Sequence, residues 1–147
     1  MKILIDADGC PVVKETIKIS RESNIPCKII CDTSHVFNFE GIETITVSKG
    51  ENSADFKLVN MISDGDIVIT QDYALAAMCL SKKATILNQN GLIYNDDNIL
   101  SLLNQRHIAQ KIRRGGGSRR GTPPREAKQT ETFINALKKI INENKGL

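Results

Sequence analysis

The sequence predicts an α/β fold: a three-layer α/β/α sandwich built on a mostly parallel sheet. Three observations predict it. Short apolar runs that end in acids or turn residues alternate with amphipathic stretches, as strands alternate with helices. Parallel neighbours need crossovers, and helical crossovers cover both sheet faces. A length of 147 residues leaves room for one such core.

In chain order, KILID at 2–6 is a short apolar run closed by an acid, suited to a buried central strand. After Pro11, VVKETIKISRES sets Val13, Ile17 and Ser20 on one helical face and stops before Pro26. CKIIC is a second strand and IETITV at 42–47 a third. SADFKLVNMIS is a helix with Ser53 as its N-cap. The turn at 64–66 leads into a fourth strand, DIVIT, and YALAAMCLS is helical. ATILN at 84–88 is a fifth strand, from which NGLIY hairpins back through the Asn90-Gly91 turn. NDDNILSLLNQRHIAQKI is a helix ending at the Gly115 to Gly117 run. The loop RRGGGSRRGTPPR leads to a last amphipathic helix with Phe133, Leu137, Ile140 and Ile141 at helical spacing. The expected organisation is an α/β domain over 1–112, a basic loop over 113–125, and a helix over 126–147 that docks on the same domain.

With 40% hydrophobic and 25% charged residues the chain is neither disordered nor fibrous. The amino terminus lacks the uninterrupted apolar segment of a signal peptide, and no run approaches the ~20 apolar residues of a membrane span. The chain therefore reads as a soluble cytoplasmic protein without a membrane partner, its four cysteines free thiols. Cys27 and Cys31 lie about 13 Å apart along one strand, so they pair neither with each other nor around a metal. Cys27, Cys31 and Cys79 read as small buried hydrophobes.

Loops leaving the carboxyl ends of parallel strands share one edge, and ligands bind there. Asp6 closes the first strand and Asp8 follows it; Asp32 closes the second; Asp72 follows the fourth in ITQD. Asp55 occupies the first turn of a helix, and Val59 and Ile62 repeat its position inward. Up to five carboxylates thus converge on one rim, whereas Asp64 and Asp66 enter from the opposite end as turn formers. Converging like charges are relieved by protonation, basic partners or a bound cation. All-oxygen donors suit Mg²⁺ or Mn²⁺ rather than zinc. Each acid also has a plainer reading: Asp32 as a turn cap, Asp55 as a favourable charge at a helix start, Asp72 as a helix cap, Asp6 and Asp8 as surface acids.

ILIDADGCPV, NSADFKLVN, GDIVITQD, ATILNQNGLIY and RRGGGSRRGTPPR, in that order, resemble the YaiI/YqxD family of uncharacterised bacterial proteins from residue 2 to about 130. More remotely, the strand-ending acid, the helix-start Asp and the T-x-D are similar to PIN-like nucleases. That resemblance implies a PIN-like, Rossmann-like variant of the sandwich and metal-dependent cleavage of phosphodiesters, usually in RNA. It also implies Asp6, Asp55 and Asp72 as metal ligands, with Thr70 orienting a carboxylate or water. Asp8 has no fixed counterpart there and is added as a ligand on its spacing. Cys10, outside that comparison, is either a buried small residue at a tight turn or a reactive thiol at a helix start.

Charge is unevenly spread. Residues 1–105 carry 9 basic and 14 acidic groups, net −5, while residues 106–128 carry 8 and 1, net +7. Glycine-interrupted arginines can follow a phosphate backbone without reading sequence, and Arg113, Arg114, Arg119, Arg120 and Arg125 are the expected nucleic-acid contacts. The plainer reading is a solvated linker. With two tyrosines and four phenylalanines in the whole chain, a platform for stacking successive bases is not expected. Two other functions compete with a nuclease. One is an RNA-binding module without catalysis. The other is a phosphatase of the haloacid dehalogenase type, because DADG resembles that group's D-x-D-G with Asp6 as nucleophile; Cys10 replaces its usual threonine.

Overall fold

Lys2 is followed by strand β1, Ile3–Asp6, in which Ile3, Leu4 and Ile5 are fully buried at the centre of the sheet. A strand covered on both faces carries apolar residues without alternation, which is why this run reads as continuous. The structure is a computed structural model, and it describes residues 1–32, 37–47, 53–114 and 124–145. Strands β2 (Cys27–Asp32), β3 (Glu43–Val47), β4 (Ile67–Ile69) and β5 (Thr85–Leu87) complete an all-parallel sheet in the order β3-β2-β1-β4-β5. Each lies within a residue of its expected place.

The helices are α1 (Val13–Glu22), α2 (Ser53–Met61), α3 (Tyr73–Cys79), α4 (Asp96–Arg114) and α5 (Ala127–Asn144). Side chains alternate across a strand, so β1 sends Ile3 and Ile5 to one face and Leu4 to the other. On the first face Ile17 of α1 and Phe133, Leu137 and Ile141 of α5 join Ile3, Ile5, Ile29 and Ile69. On the second, Leu58 of α2, Leu75 and Cys79 of α3, and Ile99 of α4 join Leu4, Ile30, Val68 and Ile86. The result is the three-layer sandwich the alternation implied.

The last helix docks on this core. Phe133 and Leu137 are fully buried and Ile141 nearly so, and a reciprocal capping box between Glu126 and Gln129 starts the helix. Arg125 pins that start: it donates to Asn90 Oδ1 at 2.6 Å, to the Gln89 carbonyl at 2.6 Å and to Thr130 Oγ1 at 3.0 Å.

Three expectations need correction. The hairpin after β5 reduces to one antiparallel bridge, Leu87 to Ile93: Asn88 Oδ1 accepts from the amides of Asn90 and Leu92, tying off a tight turn before a second strand can run on. Helix and strand do not alternate throughout; the described part of the β2 to β3 crossover, residues 37–42, is irregular, and Phe37, Phe39 and Ile42 cover the sheet there instead of a helix. Asp66 is more than a turn former. It is 1% exposed, pairs with Lys2 Nζ at 2.5 Å and accepts from the Ser63 amide at 2.7 Å, so its charge is compensated at the end of the sheet remote from the acidic rim.

Candidate active site

In this strand order the chain leaves β1 toward β2 on one side while β4 lies on the other, so the crevice between the carboxyl ends of β1 and β4 is the topological switch point. The parallel register pairs Ile5 with Ile69. One residue further, Asp6 and Thr70 stand side by side on the face that carries α2 and α3. Thr70, 1% exposed, donates from its hydroxyl to Asp6 Oδ2 at 2.7 Å. The Asp72 amide donates to the same threonine oxygen at 3.1 Å, and Asp72 Oδ1 accepts from the amides of Ala74 and Leu75 at 2.9 and 3.2 Å. Asp72 is therefore a helix cap, as its plainer reading held, and its backbone amide is linked to Asp6 by two hydrogen bonds through the Thr70 hydroxyl.

Asp8 reaches to the next strand, where it accepts from the Asp32 amide at 3.1 Å. Asp55 enters from α2, one turn above the fully buried Leu58. Leu58, rather than Val59 or Ile62, anchors that helix; the latter two are only partly buried against the same core.

Electrostatics gathers four of these acids. Burial pushes the Asp6 carboxyl from 3.8 up to about 6, against the lowering hydrogen bond from Thr70; the charges of Asp55, Asp72 and Asp8 push it further up. Burial likewise raises Asp55, followed by the charges of Asp72 and Asp8. Asp32, the fifth candidate, meets this group through its backbone amide, which donates to Asp8. Asp6 and Asp55, hard oxygen donors raised by burial and then by neighbouring charge, are the kind of donors a divalent cation would relieve. As they stand, no three Asp, Glu, His or Cys side chains among the described residues are close enough together to hold a metal ion.

Several residues that shape the rim were not apparent from sequence. The Tyr94 hydroxyl donates to the Thr70 carbonyl at 3.2 Å, and its ring meets Tyr73 edge-on with centroids 6.2 Å apart. Gln71 Nε2 donates to the Gly9 carbonyl at 2.8 Å, tying the loop after β4 to the loop after β1. Gly9 has φ +73, the left-handed region that favours glycine, and a Cβ there would lie 2.9 Å from Gln71 Nε2 and push that side chain aside, so the D-G of DADGCP is a turn suited to glycine. The one signal for Gln71 was its place between Thr70 and Asp72. Cys10 is partly buried and burial pushes its thiol up to about 11, in keeping with the buried-small-residue reading. Cys27, Cys31 and Cys79 are buried and free, as expected.

The expected nucleic-acid contacts divide. Arg113 and Arg114 end α4, and Arg119 and Arg120 lie outside the described residues. Arg125 is placed otherwise, with its guanidinium committed to Asn90, Gln89 and Thr130 as an anchor for α5. Among the described residues no helix is long and apolar enough to cross a membrane.

Against known proteins, a family model described as the uncharacterised YaiI/YqxD family matches residues 4–143. A UPF0178 protein of Ruminiclostridium cellulolyticum is 51% identical over 99% of this chain and 96% of its own length. A UPF0178 protein of Exiguobacterium sibiricum is 44% identical over 97% of this chain and 98% of its own. No solved structure matches the chain.

Proposed function

The chain belongs to the YaiI/YqxD family, and from that premise we propose that it is a metal-dependent phosphodiesterase acting on RNA, in which binding of Mg²⁺ or Mn²⁺ draws the side chains of Asp6, Asp8, Asp55 and Asp72 together as its ligands. The observation that carries this reading is Asp6, a carboxyl held by Thr70 at the switch point, whose proton affinity is raised by burial first and then by the charges of Asp55, Asp72 and Asp8. Bound there, the ion would supply a Lewis acid and an activated water for in-line attack on phosphorus.

The protein's own groups supply orientation. The Thr70 hydroxyl fixes Asp6, and the Asp72 amide fixes Thr70 in turn. The Asp32 amide braces Asp8 from β2. Arg113, Arg114, Arg119 and Arg120 are proposed to grip the phosphate backbone, which supplies the affinity that an acidic body of net −5 over residues 1–105 lacks. A cytoplasmic location, with RNA and Mg²⁺ at hand, goes with this reading.

The test is incubation of the full chain with single-stranded and structured RNA. Cleavage is expected in Mn²⁺, loss of cleavage in excess chelator, and recovery on adding Mn²⁺ back. RNA binding that weakens with salt but is never followed by cleavage would instead make the protein a binding module. A phosphoaspartate trapped at Asp6 by a phosphate mimic would make it a phosphatase.

A further inference from the structure

The turn at 7–10, which carries Asp8, spans the crevice between β2 and β4. Ala7 is buried and its amide donates to the Ile30 carbonyl of β2 at 3.0 Å, while the Cys10 amide closes the turn on the Ala7 carbonyl at 3.1 Å. Asp8 leans to the β2 side as well, where its carboxylate accepts from the Asp32 amide at 3.1 Å.

Gln71 holds the same turn from the other side, its Nε2 donating to the Gly9 carbonyl at 2.8 Å. The backbone that carries it is fixed on both flanks. The amide of the buried Thr70 donates to the Leu87 carbonyl at 3.0 Å, and Asp72 caps α3. Side chains alternate along extended chain, so while Thr70 turns to Asp6, Gln71 turns the opposite way and reaches the loop after β1. Its amide donor is spent on that carbonyl, and nothing in the ligand set proposed above uses it. Asp6 is set by Thr70 and Asp72 by the start of α3, whereas the place of Asp8 follows from the turn that carries it, tied toward β2 by Ala7 and Asp32 and toward β4 by Gln71. Groups that orient the ligands of a metal typically matter tenfold or more in its affinity.

We propose that Gln71 is a positioning residue for the metal site: by holding the Gly9 carbonyl toward β4, it keeps the Asp8 turn over the crevice, where Asp8 can join an ion bound at Asp6. Gln71 acts through Asp8 and touches neither ion nor RNA. This role rests on the metal reading of the rim.

Binding of Mn²⁺ to the full chain without RNA, followed by the paramagnetic resonance signal of the free ion, tests it. Wild type is expected to bind, and Gln71→Met, which keeps the length and loses the donor, to bind about tenfold more weakly. The melting temperature in chelator should not change, because the lost bond is an exposed one. In an Asp8→Asn background the same substitution is expected to change the affinity by less than about twofold, since the residue it acts through is gone. Gln71→Ala is the second variant should Gln71→Met alter the melting temperature. An affinity untouched by both Gln71 substitutions overturns the role. An equal loss with and without the Asp8 carboxylate overturns it too, and makes Gln71 a general support of the fold. A wild-type chain that takes up no Mn²⁺ overturns the metal reading and the positioning role together. Failure of the nuclease reading alone looks different: Mn²⁺ binding that depends on Gln71, with no RNA cleaved.

Discussion

Asp6→Asn is expected to abolish Mn²⁺-dependent cleavage of RNA while making the metal-free protein more stable. An asparagine keeps an oxygen to accept from Thr70 and removes the charge that burial and three carboxylates oppose. The sign follows from the two states. The unfolded chain releases this proton near 3.8 and the folded one near 6, so the folded state binds more protons in between. Its stability from this group falls as pH rises through that window and stays low above it. A carboxyl moved from 3.8 to about 6 costs the folded state roughly 3 kcal/mol at neutral pH as an upper bound. Relief of about 1–3 kcal/mol corresponds to roughly 3–10 °C in a chain of this size. Melting curves in chelator at pH 4 and pH 8 check it: the variant gains at the higher pH and converges with wild type at the lower. A variant less stable at both would remove the charge crowding from which the metal proposal starts.

Phe133→Ala is expected to be the most damaging single change to the fold. The ring is fully buried between α5 and the sheet, in the cluster that holds Ile3, Ile5 and Ile17. Large-to-small changes at such sites lose both transfer energy and packing, about 3–5 kcal/mol for phenylalanine. The melting temperature should drop by roughly 6–20 °C in one cooperative transition. Phe56→Ala is the control: Phe56 is 55% exposed, and its loss should stay within about 0.5 kcal/mol. A drop no larger for Phe133 than for Phe56 would mean that the last helix is not part of the cooperative unit.

Strands β1, β2 and β4 were legible because they are buried on both faces and so stand out as apolar runs between turn residues; the edge strand β3 is only partly buried. Asp6, Asp8 and Asp72 were legible for a related reason, since they follow those strands and parallel topology sends every such position to one edge. What sequence could not supply was register. The hydrogen bond from Thr70 to Asp6 exists because Ile5 stands opposite Ile69, a pairing between residues 64 apart that no local pattern encodes. The irregular crossover escaped notice because Phe37, Phe39 and Ile42 cover the sheet without helical periodicity. Arg125 looked like one more phosphate-seeking arginine because its partners Gln89 and Asn90 are 36 and 35 residues away.

The most direct test of the central claim is an anomalous difference map at the manganese edge from crystals of the full chain, soaked in Mn²⁺ at a pH well above 6. A peak is expected about 2 Å from an Asp6 carboxylate oxygen, with further ligands from Asp8, Asp55 or Asp72. A map with Mn²⁺ only elsewhere, and none at Asp6, would contradict the claim.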